Sequence, residues 1–96
     1  MSATEQALVG AWSPPQKADP EIQHIANQVR GEVESKAGVT FTEYIAETFQ
    51  SQVMAGMKYK IELKVKVVDT KLTKLHLQVH KDFDQHVSVS FYYLTS

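Results

Sequence analysis

The sequence has no cysteine, one tryptophan, three prolines and four glycines in 96 residues. Without cysteine there is no disulfide framework, no thiol nucleophile and no thiolate ligand for a metal. Asn27, the sole asparagine, is followed by Gln28 and Val29 and so forms no glycosylation sequon. Nothing marks the chain as built for an oxidising compartment, and a cytoplasmic location is the expectation. No apolar run approaches the roughly 20 residues that a membrane span needs. Met1 to Gln6 has neither a basic cluster nor a continuous apolar segment, so neither a membrane span nor a secretory signal is expected.

Chemistry-bearing patterns are also scarce. There is no glycine-rich phosphate loop and no nucleophile-elbow serine. His76 and His80 share a strand face, but at about 3.3 Å per residue they stand roughly 13 Å apart, too far to hold one metal ion. His24 flanks an apolar stripe, and Glu32 and Glu34 face different ways on a helix. No enzyme, no cofactor and no metal site is expected. The net charge of -1 is unevenly spread: seven acidic and three basic residues lie up to Gln50, four acidic and seven basic after it. That asymmetry does not imply nucleic acid, because Lys58, Lys60, Lys64 and Lys66 interleave with aliphatics on one parity, as the solvated face of a strand does.

What is present is the pattern of one domain, residues 1–96, with residues 1–12 as a flexible N-terminal arm. Residues 1 to 18 have no periodicity, and Pro14-Pro15 enforces an extended backbone. Trp12, with Leu8 and Val9, is an apolar side chain on that arm, pinned to the body of the domain or held ready for a partner. Asp19-Pro20-Glu21 is a helix start, with Asp19 as cap and Pro20 at the first helical position. Ile22, Ile25, Ala26, Val29 and Val33 then form one apolar stripe, and Gly38 is a stop. Gly31, inside this helix of four to five turns, predicts a slight bend or a close approach to a sheet.

The rest supplies the sheet. Val39 to Val53 is rich in Phe, Tyr, Ile and Thr, but its apolar residues change parity, which predicts a bulge or a covered outer face. Tyr59, Ile61, Leu63, Val65 and Val67 alternate with polar residues; so do Leu75, Leu77 and Val79, and Val87, Val89, Phe91 and Tyr93. The fold expected is α+β: a single helix packed across a curved antiparallel β-sheet of four to five strands. Ile22, Ile25, Val29 and Val33 should face Ile61, Leu63, Val65, Leu77 and Val79.

Gln52-Val53-Met54-Ala55-Gly56 falls between two long strands, at the tip of a hairpin. Hairpin tips are normally polar or glycine-rich, and only Gly56 fits that habit. An apolar tip is there to be buried, by the fold or by a partner. The second connection, Lys81 to His86, carries Phe83. In a meander these two turns emerge at one end of the sheet, which an arm containing Gly10 can also reach, and three contacts in a row make a wedge.

These residues carry a resemblance. Gln52-Val53-Met54-Ala55-Gly56 is similar to the Gln-Val-Val-Ala-Gly loop of the cystatins, and Gln23 to Arg30 resembles the helix of the stefins, the small intracellular type 1 cystatins. Gly10 falls where stefins carry their N-terminal glycine, and the resemblance runs from Gly10 to about Tyr92. It implies a reversible, competitive inhibitor of papain-like cysteine proteases, including cathepsins. Leu8, Val9 and Gly10 would occupy the substrate side of the cleft, and Gln52, Val53, Met54, Ala55, Gly56 and Phe83 the leaving-group side. Three departures stand out: Met54 replaces a valine, the second hairpin has Phe83 where stefins carry Leu-Pro, and the acidic, aromatic tail of stefins has no counterpart up to Ser96. Met54 and the altered second hairpin keep open the alternative of a non-inhibitory binding module, natural or engineered, that uses the same three loops on another target. The long strands flanking the tip, together with the resemblance, also point to a monomer that can exchange residues 1 to 53 into a symmetric domain-swapped dimer.

Overall fold

The computed structural model describes residues 10–96. Leu8 and Val9, two of the expected contact residues, lie outside the described residues. A short strand β1 (Gln16–Lys17) leads into helices α1 (Pro20–Gln28) and α2 (Arg30–Ala37), then strands β2 (Phe41–Val53), β3 (Met57–Val67), β4 (Lys74–Lys81) and β5 (Val87–Thr95). The strands form one antiparallel sheet in the order β1-β2-β3-β4-β5. The α+β expectation holds, with the fifth strand supplied by β1. No helix among the described residues is long and apolar enough to cross a membrane.

The helix begins as its sequence dictates. Asp19 accepts from the Ile22 amide at 3.0 Å, Pro20 opens the first turn, and Gly38 closes α2 at φ 68°. It is interrupted, however, at Val29, whose φ of -107° and ψ of 4° leave the helical range. The break lies two residues before Gly31, and a Cβ on Gly31 would meet nothing within 4 Å. The expected approach of Gly31 to the sheet is therefore absent: the weak helix former sits beside the bend, on the exposed side. The bend keeps Val29 and Val33 in the core alongside Ile22 and Ile25.

That core is the one expected from the two apolar patterns. Ile22, Ile25, Val29 and Val33 share one buried cluster with Ile61, Leu63, Val65, Leu77 and Val79, and no polar or charged residue is buried among the described residues. Burying five aliphatic side chains from β3 and β4 against the helix contributes about 1.5–3 kcal/mol for each.

Bulges settle the strands whose pattern was irregular. The β2–β3 register slips between Phe41 and Glu43 and again between Ala46 and Thr48. Each slip inserts one extra residue, so Phe41, Tyr44, Ala46 and Phe49 all turn inward although their parities differ, and Ile45 is exposed. Gln23 of α1 meets the freed backbone: its Nε2 donates to the Tyr44 carbonyl at 3.1 Å and its Oε1 accepts from the Ala46 amide at 2.7 Å. Tyr44 in turn donates its hydroxyl to the Ala26 carbonyl at 2.7 Å, and burial pushes that phenol well above its ordinary range.

In β5 a further slip corrects the sequence reading. Gln78 pairs with Phe91 but Val79 pairs with Val89, so Ser90 is an extra residue. Val87, Val89, Tyr92 and Leu94 pack toward the core, whereas Phe91 and Tyr93, expected on the dry face, are on the outer one.

Candidate functional site

Three segments meet at one end of the sheet. Met54, Ala55 and Gly56 close the β2–β3 hairpin between the paired residues Val53 and Met57. Ala55 holds φ at 47° and Gly56 at 103°, with the Met54 amide donating to the Gly56 carbonyl at 3.2 Å. Only glycine fits at 56. A Cβ there would also collide with the carbonyl of Lys81 and lie 3.1 Å from Asp82 Cα. The first tip thus rests against the start of the second connection. His80 Nε2 lies 2.8 Å from the Ala55 carbonyl oxygen and ties β4 to the same turn.

The second connection, Asp82 to His86, is organised by one carboxylate. Asp82 Oδ1 accepts from the amides of Asp84 and His86, both at 2.9 Å, while the Asp82 amide donates to the His86 carbonyl at 2.9 Å. The His86 amide, more than any other group, holds the Asp82 carboxyl below its ordinary range. With that turn fixed, Phe83 projects at 79% exposure. A depression of about 320 Å³ separates the two tips, lined by Gly56, Met57, Tyr59, Lys81, Asp82, Phe83 and Gln85.

The third segment is the arm. Gln52 Nε2 donates to the Gly10 carbonyl at 2.7 Å, which places Gly10 beside the first tip. Behind it, Ser13 bonds to Ser51 through its amide at 2.8 Å and its hydroxyl at 2.9 Å, and Gln50 Nε2 donates to the Ser13 carbonyl at 2.9 Å. Trp12 lies under the Lys60 ammonium, 4.3 Å from its ring centre. The arm therefore continues along the edge of β2 that β1 begins to cover.

Of the nine expected contact residues, the structure brings Gly10, Gln52, Val53, Met54, Ala55, Gly56 and Phe83 together. Val53 is 55% and Met54 45% exposed, so the fold itself does not bury the apolar tip. Sequence reasoning missed Ser13, His80 and Asp82 as the groups that hold the three segments in place. Only Asp82 had a readable signal, an Asp two residues before an amide it can cap. Asp82, Asp84 and His86 have ligand atoms within 4.8 Å of one another. The bonds of Asp82 to the turn account for that grouping without an ion.

A family model for the cystatin domain matches residues 10–90. Leukocyte cysteine proteinase inhibitor 1 of Sus scrofa is 40% identical over 62 residues, 65% of this chain and 60% of that protein. Cystatin-A of Felis catus is 39% identical over 74 residues, covering 77% and 71%. Cystatin-B of Homo sapiens is 45% identical over 58 residues, covering 60% and 59%. The match thus spans about three-fifths of the first of these relatives.

Proposed function

The chain belongs to the cystatin family, and on that premise we propose that it is a reversible, competitive inhibitor of papain-like cysteine proteases, cathepsins among them. One observation carries the proposal: an exposed apolar pair, Val53 and Met54, stands between Gly10 and the projecting Phe83, all at one end of the sheet. An apolar row of this kind fits a cleft of complementary shape, and burying it from water supplies the binding energy. The arm, with Leu8 and Val9 before Gly10, takes the substrate-side subsites; the tip from Gln52 to Gly56 and, beyond it, Phe83 block the leaving-group side. No bond of the inhibitor needs to react, because occlusion by a preorganised wedge is sufficient.

Met54 stays apolar where the family has valine, and its longer, more flexible side chain buries with a different fit. A cytoplasmic location belongs to the same reading and rests on the cysteine-free composition; recovery of the native protein from a secretory compartment would remove it. The deciding experiment is a titration of papain. Residual activity should fall to zero with a stoichiometric end point and recover on dilution with substrate. Activity that survives a large excess sinks the inhibitor reading and leaves a binding module with another target.

A further inference from the structure

We propose that the outer edge of β5 is a self-association surface, on which a second copy of this chain adds its own β5 antiparallel across a twofold axis. The two edges of the sheet are treated differently. At one, β2 is covered by β1 and by the bonds from Ser13 and Ala18. At the other, β5 has β4 on one side and, among the described residues, no strand on the other.

Free edges of stable monomers are usually short, charged, proline-bearing or covered. Among the described residues no strand or proline protects the β5 edge, and it carries no charge. It is nine residues long, reads Val-Ser-Val-Ser-Phe-Tyr-Tyr-Leu-Thr, and contains neither a charge nor a proline. Not one of the nine is fully buried, in contrast with Leu75, Leu77 and Val79 on the neighbouring strand, each at 2% exposure or less. On the outer face Phe91 and Tyr93 stand 56% and 46% exposed, with Tyr93 stacked on His76 at 4.3 Å.

An unpaired edge of this kind accepts an extended, uncharged strand with aromatics on alternate positions, and β5 itself is such a strand. Antiparallel pairing about an axis near Phe91 is isologous, so the same groups serve both copies and the aromatic rows join across the dyad. The net charge of -1 sets little repulsion against the approach of a second copy. Contact along one edge strand is smaller than the roughly 1,200 Å² at which stable interfaces begin, so the dimer is weak: it forms at high concentration and separates on dilution. The wedge tips then point to opposite ends and stay open.

The test is sedimentation equilibrium over a wide concentration range, with amide exchange on the same samples. The weight-average mass should rise from the single-chain 10.8 kDa towards twice that value, with the β5 amides slowing in step. Phe91→Lys and Tyr93→Lys place like charges near the dyad at exposed sites; each should still melt cooperatively, with at most the small loss that a cross-strand aromatic contact represents, and abolish the rise. A single-chain mass at every concentration, which leaves the edge to some other extended peptide, overturns the proposal. So does a dimer indifferent to both lysines, or one whose chains do not separate on dilution.

Discussion

The backbone carbonyl of Lys81 occupies the place where a side chain on Gly56 would begin, and Gly56 holds φ at 103°. The two expected contact loops are therefore one unit. Gly56→Ala has to move the first tip off the second and adopt a strained φ, which costs about 1–3 kcal/mol. The expected result is a lower melting temperature together with weaker inhibition of papain, by roughly fivefold to a hundredfold if the whole cost falls on the bound tip, since about 1.4 kcal/mol is one decade in affinity. A variant with parental melting and parental inhibition would show that the contact matters to neither.

The bend at Val29 separates two kinds of helix position two residues apart. Val29 is 2% exposed among apolar neighbours. Val29→Asp puts an unpaired charge there, a loss above about 4 kcal/mol that uses up most of the stability of a small domain. It should abolish the cooperative melt. Gly31→Ala meets nothing within 4 Å and removes backbone freedom from the unfolded chain, so it should stabilise by about 0.4–1 kcal/mol. Denaturant titration of both variants checks the pair. A destabilised Gly31→Ala would place Gly31 against an unseen neighbour.

Asp82 should make the second tip pH-sensitive. The amides of His86 and Asp84 favour its ionised form and hold its folded pKa below the ordinary 3.8. Because the folded value is the depressed one, the stabilisation is complete above 3.8 and is lost as pH falls through the lower, folded value. The amide resonances of Asp84 and His86 should stay constant from neutrality down to about that point and then move together. Titration at or above the ordinary value would mean that the turn is not held by this carboxylate. Asp82→Ala should loosen Phe83 at every pH.

Most of the core was legible because β3, β4 and the helix stripe repeat a single period, and burial follows the period. The outer faces were not. Phe91 and Tyr93 continue the alternation of Val87 and Val89 in the sequence, but one extra residue at Ser90 reverses everything after it. In β2 the change of parity showed in the residues, whereas the side chain that accommodates it, Gln23, lies 21 positions from Tyr44 and no local pattern connects them. The proposed wedge was readable in its apolar parts, which are conspicuous where a turn should be polar. Its supports were not: the bond from Gln52 to Gly10 spans 42 positions, and only the folded chain reveals it.

The same tip should serve as a hinge. Ala55 and Gly56 are the residues of the β2–β3 turn with positive φ, at 47° and 103°, and straightening the turn releases both. It also gives up the Met54 to Gly56 bond and the contact of His80 with Ala55. Every β2–β3 pair from Phe41 with Val67 to Val53 with Met57 is re-formed between chains when residues 1 to 53 of one copy complete the sheet of another. The local cost is small, but the sheet must open first, so exchange needs warming or high concentration and, once cooled, reverses slowly. Gly56→Ala should raise the exchanged fraction, because the extended hinge needs neither the positive φ nor the space taken by Lys81. Since the exchanged dimer has no tip from Val53 to Gly56, it should leave papain active while the monomer inhibits it. Size separation followed by assay at equal chain concentration decides the matter: an exchanged dimer as inhibitory as the monomer means that the tip is intact and the chain crosses elsewhere.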